Sequence, residues 1–419
     1  MKIAVIGGGI VGVSSANWLT KYGQEVTLYD RTDPGAEASF GNAGTYAKYA
    51  NVPTNSSSFF YLFPYLLLNK NSPLFIRGKY FPKVLPWLTK YLSNCRPSKV
   101  KYTSEKLTTL LTKVDEGYED LFKEANIEHL ISRESVMYVW SSKIFYNSAI
   151  PDFITRAKTG IDIELLSHNE ISEVEPNLNN IFYKGALFNG SYFSKNPKET
   201  TEGLLKLFQS KGGIFLQEEV TDINMNAADK VEIVTGKSRI TYDKIIICAG
   251  VWSKKLAGLI GDNVPIESER GYHISYNDYN PIKHPVAWQE RGTYFTPMNN
   301  GLRVAGTVEF AGLDREINRK VINFLSRSAK QVFPEISSHD NEWLGFRPSA
   351  PDSLPVIGQS KKNPYIYYCF GHQHIGWSLG GITGKLIAQE AIANKTDIDL
   401  TPFSVEDFNY EIFITKSSS

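Results

Sequence analysis

Three cysteines in a chain of 419 residues leave little for sulfur to do. Cys95, Cys248 and Cys369 are far apart and show neither metal-ligand nor redox spacing. A disulfide framework is excluded as the basis of the fold. Buried, inert thiols in a reducing compartment are the expectation. A surplus of one charge is also missing. Lys and Arg number 45 and Asp and Glu 44, a formal net charge of +1, and no basic block breaks the balance. Nothing in the charge therefore recommends a nucleic acid as partner. No apolar run reaches the ~18 residues of a membrane span. The nearest, FFYLFPYLLL at 59–68, is broken by Pro64. The N-terminus does not read as a signal peptide, because its apolar run carries a glycine pattern and passes at once into ordered alternation. Internal repeats and low-complexity linkers are absent.

Aromatics are plentiful, with 23 Phe, 23 Tyr and 7 Trp, as expected of a globular protein with a large core. The length exceeds what one core usually supports, so two domains are expected. The chain opens with a strand over 2–6, a helix over 10–22 and a strand over 25–29, with Gly23 placed to close the helix. Residues 46–94 read as an irregular aromatic region with several prolines. Apolar spacing of three and four then predicts one helix over 106–126. A further helix opens at Asn196, its cap, with Pro197 in the first turn and Gly212 at its close. Strands follow over 213–223, 230–236 and 239–250. The last ends in IIICAG, an apolar run that suits a buried parallel strand. Residues 293–310 read as a hairpin turning at Asn299-Asn300-Gly301. A helix is predicted over about 315–332, and 365–392 reads strand, glycine-rich turn, helix. The final Lys-Ser-Ser-Ser reads as a frayed tail.

These patterns predict an α/β protein with a discontinuous, Rossmann-like nucleotide domain (1–45, 152–263 and 341–419). An α+β cap with an antiparallel sheet would come from 46–151 and 264–340.

The sharpest motif is KIAVIGGGIVG. Gly7, Gly9 and Gly12 form GxGxxG between a strand and a helix. The first permits the turn, the second lets a pyrophosphate approach the main chain, and the third lets helix and sheet lie close. The amides of Ile10 and Val11 then open the helix toward phosphate, with its dipole behind them. Asp30 stands where an acid would take the adenosine ribose hydroxyls. An acid at this position argues against a ribose 2′-phosphate. CFGHQHIGWSLGG at 369–381 places Gly371 and Gly376 around a second helix start, which would suit the electron-rich end of a cofactor.

The next residues favour flavin by resemblance. ASFGNAG at 38–44 resembles the segment that follows this acid in the D-amino-acid dehydrogenase and oxidase family of flavoproteins. ISEVEPNL, ERGYHI, GFRPSAPDSLPVIG and GHQHIGWSLGGITGKLIA are similar to further family segments, in order along the chain. His-x-His (His372, His374) with Arg-Gly-Tyr-His (270–273) resembles a branch that includes D-proline and hydroxy-D-proline dehydrogenases. The resemblance implies FAD as cofactor. It implies contacts to FAD from Arg31, Ser39, Asn42, Ala43 and Gly44, from Val220, Ala249 and Gly250, and from Gly345, Gly371, His372, Gly376, Trp377 and Ser378.

Arg347 is the leading candidate for chemistry. A guanidinium in a proline-pinned loop after a strand can grip a carboxylate by two parallel hydrogen bonds; in the related family the matching Arg holds the substrate carboxylate. The alternative is a structural Arg paired with Asp352 or a carbonyl. Tyr272 and Tyr294 lie on cap strands, and the resemblance implies an aromatic hydroxyl near the substrate without settling which. His273 and His372 are further polar candidates. His374 has no third partner for a ligand set, so no metal is expected. The expected reaction is oxidation of a D-amino acid or a D-proline-like cyclic imino acid to the imine and then the 2-oxo acid. Hydride would pass from Cα to flavin N5 and electrons to a quinone or another acceptor. An oxygen-dependent glycine- or sarcosine-type oxidase and a flavin-binding subunit without turnover are the rivals. The apolar stretches 59–68 and 73–88 are either cap packing or a peripheral contact with the inner face of a membrane, in an otherwise cytoplasmic protein.

Overall fold

The computed structural model describes residues 1–69, 72–225, 230–393 and 395–405. The Lys-Ser-Ser-Ser tail lies outside the described residues. Strand β1 (Lys2–Ile6), helix α1 (Ile10–Lys21) and strand β2 (Glu25–Asp30) form the opening unit, with β1 parallel to β2. Its register pairs Ile3 with Val26 and Val5 with Leu28. Both faces of β1 are buried, which is why its sequence is a continuous apolar run rather than an alternation. Beyond β2 lies Ile214–Gln217; beyond β1 lie Lys244–Ile247, Ile366–Phe370 and finally Val356–Gln359. Only this last strand is antiparallel. The C-terminal ends of the parallel strands therefore gather Gly7, Asp30, Ala249 and Gly371 at one edge of the sheet. Open α/β sheets bind their ligands at such an edge.

Helix Gly376–Ala393 packs against α1, and its glycines explain how closely. A Cβ on Gly384 would come within 2.7 Å of the Ser14 backbone, and one on Gly380 within 2.6 Å of the Tyr118 hydroxyl. Gly117 in turn lies so near Gly381 and Ile382 that a Cβ there would overlap the Ile382 amide. The predicted single helix over 106–126 is two helices, Pro97–Leu111 and Val114–Glu124. The break at Thr112–Lys113 separates two packing tasks, since only the second helix carries the glycine contact.

The second layer is a nine-stranded, mostly antiparallel sheet. Its order runs Asn341–Ser349, Glu267–Asn277, Gly301–Phe310, Thr293–Met298, Val286–Trp288, Val136–Trp140, Lys184–Phe188, Ile163–Leu166, with Leu74–Ile76 beside Gly301–Phe310. Helix Arg319–Val332 covers one face, packing Val321, Phe324 and Leu325 with Ile274, Phe295 and Val304. It starts at Arg319, later than predicted, because the Asn318 side chain caps it by accepting from Lys320 N (3.0 Å). Three strands assigned from sequence to the nucleotide domain, Ile163–Leu166, Lys184–Phe188 and Asn341–Ser349, belong to this sheet. Hydrogen-bonded pairing decides their place, and pairing partners far along the chain leave no local trace.

The region 46–94 is not irregular. It holds helices Ser57–Leu68 and Phe81–Ser93, with Pro64 and Pro86 inside them. Proline normally argues against a helix interior. In the second helix Val84, Trp87, Leu88 and Tyr91 are buried at three-and-four spacing, while Pro86 faces solvent. Burial of that stripe outweighs the lost hydrogen bond. All three cysteines are buried.

The glycine contact is testable. Gly117→Ala must displace the Gly376–Ala393 helix, at about 1–3 kcal/mol, and thermal unfolding should show its midpoint lowered by a few degrees. Gly78→Ala, where a Cβ meets nothing within 4 Å, should leave it unchanged.

Candidate active site

One cavity of about 720 Å³ runs between the two sheets, from the end of β2 to the cap helices. Its first section is built by the glycine loop. Gly7 has φ +112°, and a Cβ there would stand 2.5 Å from the Cys248 carbonyl oxygen. Gly12 lies behind the cavity wall, where a Cβ would overlap the Gly7 carbonyl oxygen. Gly9, Ile10 and Val11 form the wall, so α1 presents its amide end to the cavity. Gly8 N donates to Asp30 Oδ2 (2.5 Å), and Thr32 N and Oγ1 donate to Asp30 Oδ1 (2.9 and 3.0 Å). Asp30 is thus fixed at the cavity rim. Ile10 N donates to Ser39 Oγ (2.9 Å). The Arg31 guanidinium lies 3.8 Å over the Trp252 ring, with Glu218, Val220, Ala249 and Gly250 around it.

The middle section is made by the segment after Ser39 and by the second helix start. Arg303 Nη1 donates to the carbonyls of Phe40 (2.8 Å) and Asn42 (2.9 Å), which pins Ala43 and Gly44 in the wall. Gly44 has φ +72°, and a Cβ would come 2.6 Å from the Ser194 carbonyl oxygen. Opposite, Gly376 and Trp377 open their helix toward the cavity. Gly371 and Ser378 do not line it. Gly371 supplies a turn at φ +82°, and Ser378 Oγ accepts from Ala47 N (2.9 Å) and donates to the Thr45 carbonyl (3.2 Å). His372 edges the cavity, but Nε2 is engaged with Thr383 Oγ1 (3.1 Å) inside the helix, and burial lowers its pKa to about 3. It is a neutral brace for the helix start.

The third section lies on the open face of the antiparallel sheet, where strand parity decides who takes part. Glu269 pairs in register with Arg347 and Gly271 with Gly345, and all four line the cavity. Tyr272, the next residue, must point the other way. Its hydroxyl donates to Glu309, which also neighbours Arg270 and accepts from Asn318 Nδ2 (2.7 Å) on the covered face. Tyr272 therefore does not reach the cavity, contrary to its candidacy. His273 has the correct parity but is sealed off. Nδ1 meets the Gly41 carbonyl (3.0 Å), and Trp343 stacks on the ring at 5.1 Å and 14°. Burial and the nearby Arg303 lower its pKa well below the ordinary value.

Arg347 faces the cavity from within the strand Asn341–Ser349, not from a loop after a strand as its sequence suggests. A Cβ on Gly271 would overlap its guanidinium, so the side chain lies folded over that glycine. Nη1 donates to the Thr307 carbonyl (2.9 Å), the only hydrogen bond it makes among the described residues. Thr307 holds φ +64°, an unfavourable conformation for a β-branched residue, and this turn aims its carbonyl. Asp352 is not its partner. The rest of the fork is free to meet an anion. Tyr294 lines the same space, with its hydroxyl 2.8 Å from that of Tyr138, and burial raises its pKa well above the ordinary value.

Sequence reasoning missed Trp252, Glu269, Tyr138, Arg156 and His374, all in the wall. His374 opens onto the cavity though protein surrounds it, and burial together with Arg347 lowers its pKa to about 4. The signal for Glu269 was available: it shares parity with Gly271. Trp252 and His374 lie two residues from Gly250 and His372, which the sequence does single out, while Tyr138 and Arg156 come from elements joined to these by tertiary packing.

The cavity's shape and lining fit an elongated dinucleotide. There is a side-chain-free cradle at Gly7 and Gly9, a helix amide end at each of two places, and a flat floor at Gly271 and Gly345. Comparisons with known proteins agree. The family model described as "FAD dependent oxidoreductase" (DAO) matches residues 2–390. A D-amino-acid oxidase of Bradyrhizobium diazoefficiens is 33% identical over 417 residues, covering 97% of this chain and 98% of that one. A D-amino acid dehydrogenase of Vibrio vulnificus is 27% identical, covering 96% and 99%. Among solved structures, glycine oxidase from Geobacillus kaustophilus superposes with a TM-score of 0.76 at 18% identity, covering 96% of this chain and 97% of its own. L-Proline dehydrogenase from P. horikoshii gives 0.75 at 17%, covering 97% of each. These two show a shared fold.

Gly7→Ala should yield a folded but pale protein. The new methyl would press on the Cys248 carbonyl at a φ that alanine resists. Bound FAD per chain, read from visible absorbance, should fall at least several-fold while far-ultraviolet circular dichroism is unchanged.

Proposed function

The chain belongs to the DAO family of FAD-dependent oxidoreductases, and from that premise we propose that it oxidises a D-amino acid or a D-proline-like cyclic imino acid at the Cα–N bond. Gly7, Gly9, Ile10 and Val11 would hold the pyrophosphate, Asp30 the ribose, and Ala43, Gly44, Gly345, Gly376 and Trp377 the ring system. Bound FAD supplies the hydride acceptor at N5. The chain's own part is positional. Arg347 takes the carboxylate by its free fork, and Tyr294 closes the pocket beside it. Gly271 and Gly345 let the substrate lie close to the sheet, and aromatic walls from the cap helices exclude water. The imine leaves to be hydrolysed to the 2-oxo acid. The observation that carries this reading is a half-buried guanidinium whose one hydrogen bond among the described residues is to a carbonyl and which lines the cavity.

Electrons would leave to a quinone or another acceptor. Oxygen is a second reading, favoured by the relative named D-amino-acid oxidase; peroxide yield under air separates the two. Among the described residues no helix is long and apolar enough to cross a membrane. Helix Ser57–Leu68 is apolar on both sides, however. Phe59, Leu62, Phe63 and Leu66 line the cavity, while Phe60, Tyr61, Tyr65 and Leu67 are exposed. We propose that this outer side rests on a membrane surface.

Two outcomes are expected. In an anaerobic screen D-amino acids or D-proline derivatives should bleach the flavin, and Arg347→Lys should lower kcat/KM on the order of 10- to 100-fold with FAD content intact. Bleaching by no amino acid of either hand would refute the reading. Phe60→Asp with Leu67→Asp should abolish co-sedimentation with lipid vesicles; a wild type that never sediments with them would remove the membrane contact.

A further inference from the structure

Glu269 is a cavity acid that the proposed chemistry has not used, and it is the one beside Arg347 in the strand register. Its residue is 8% exposed, it faces the cavity, and it stands directly across from Arg347 in the strand register. The obvious structural role would be to neutralise that arginine. The geometry does not support it. Arg347 turns its guanidinium over Gly271 to the Thr307 carbonyl, and Glu269 has no direct ion pair among the described residues. A buried carboxylate beside an arginine that it does not grip is costly, and such groups concentrate where function needs them.

We propose that Glu269 receives the substrate's amino group. Arg347 takes the carboxylate, Glu269 takes the ammonium, and Glu269 then accepts one of its protons, so that the nitrogen is neutral when the Cα–H bond is broken. In that transfer an N–H bond breaks, an O–H bond forms on the Glu269 carboxyl, and the substrate passes from zwitterion to anion. Adjacent groups of opposite sign on one face of an antiparallel pair match the two charges of an α-amino acid, whose ammonium nitrogen and carboxylate carbon are both bonded to Cα. The inference rests on amino-acid oxidation at this site, and it deepens that reading by naming the zwitterion as the species recognised.

The surroundings of Glu269 suit a proton acceptor. Burial raises its pKa, while Arg347 from the neighbouring strand and the Ser349 hydroxyl oppose the rise and Glu267 on its own strand adds to it. Tyr91, from the helix Phe81–Ser93, faces it with a hydroxyl that donates to Thr54 Oγ1 (3.1 Å). The pH at which Glu269 loses its proton therefore lies above the ordinary carboxylate value of about 4.3. Below it the acid is neutral and leaves Arg347 to any anion; above it the carboxylate favours an ammonium and repels a bare anion.

A matched pair of probes separates these effects. 2-Aminoisobutyrate is an α-amino acid with no Cα–H, so it binds without being oxidised; isobutyrate lacks only the amine. Calorimetric titration of the FAD-loaded full chain should show Glu269→Gln weakening 2-aminoisobutyrate at least about 10-fold while isobutyrate binds equally or more tightly. Isobutyrate should bind the wild type more tightly as pH falls, and the variant without that dependence. The acid limb of kcat/KM should vanish in the variant. Equal loss of both probes, or no change in either, overturns the role of Glu269 while leaving Arg347's intact. Failure of isobutyrate to perturb the wild type at any pH overturns both.

Discussion

A side chain at position 271 would displace the Arg347 guanidinium, which occupies that place. The rest of the site follows from this exclusion. A missing Cβ on one strand allows an arginine from the next to lie flat on the sheet. There it is half-buried, yet among the described residues it has a single backbone acceptor and a free fork. Thr307 completes the arrangement by holding a strained turn that offers its carbonyl. The carbonyl fixes one end of the guanidinium without neutralising it. An anion is the natural occupant of what remains, and nothing bulky on the floor of the sheet keeps it from lying close.

The same economy of side chains appears at the other end of the cavity. Gly7, Gly9 and Gly12 clear a path for phosphate, and Gly380, Gly381 and Gly384 let the last helix settle on α1 and the Tyr118 helix. Both ends of the cavity therefore depend on backbone approaching backbone. Two of the polar side chains in or behind its wall are tied to the main chain. Asp30 is tied by three hydrogen bonds to the glycine loop and to Thr32, and Arg303 ties the Phe40–Asn42 turn. These side chains are rigid because main-chain groups hold them, which is what positioning a cofactor and a substrate requires.

Much of this was legible in the sequence, for reasons that can be named. The glycine loop, Asp30 and the first parallel strands are local patterns: each turn, cap or apolar run sits within a few residues of what it specifies. Arg347 was legible through its resemblance to a family motif, but its conformation depends on Gly271, some 76 positions earlier in the chain yet one strand away. Tyr272 was misjudged because a strand alternates its faces and nothing local says which face is covered. The glycine at 271, once placed in the cavity, decides the matter for 269, 272 and 273 together. The helices of 46–94 were hidden by prolines whose cost is overcome by burial of Val84, Trp87, Leu88 and Tyr91. The domain boundary drawn from sequence cut through the antiparallel sheet, since pairing between distant strands has no local signature.

The most direct test is a crystal structure of the FAD-loaded chain with a carboxylate that cannot be oxidised. Both carboxylate oxygens are expected on the Arg347 guanidinium, above Gly271, with the Thr307 bond kept. A carboxylate bound elsewhere in the cavity, with Arg347 untouched, would contradict this placement.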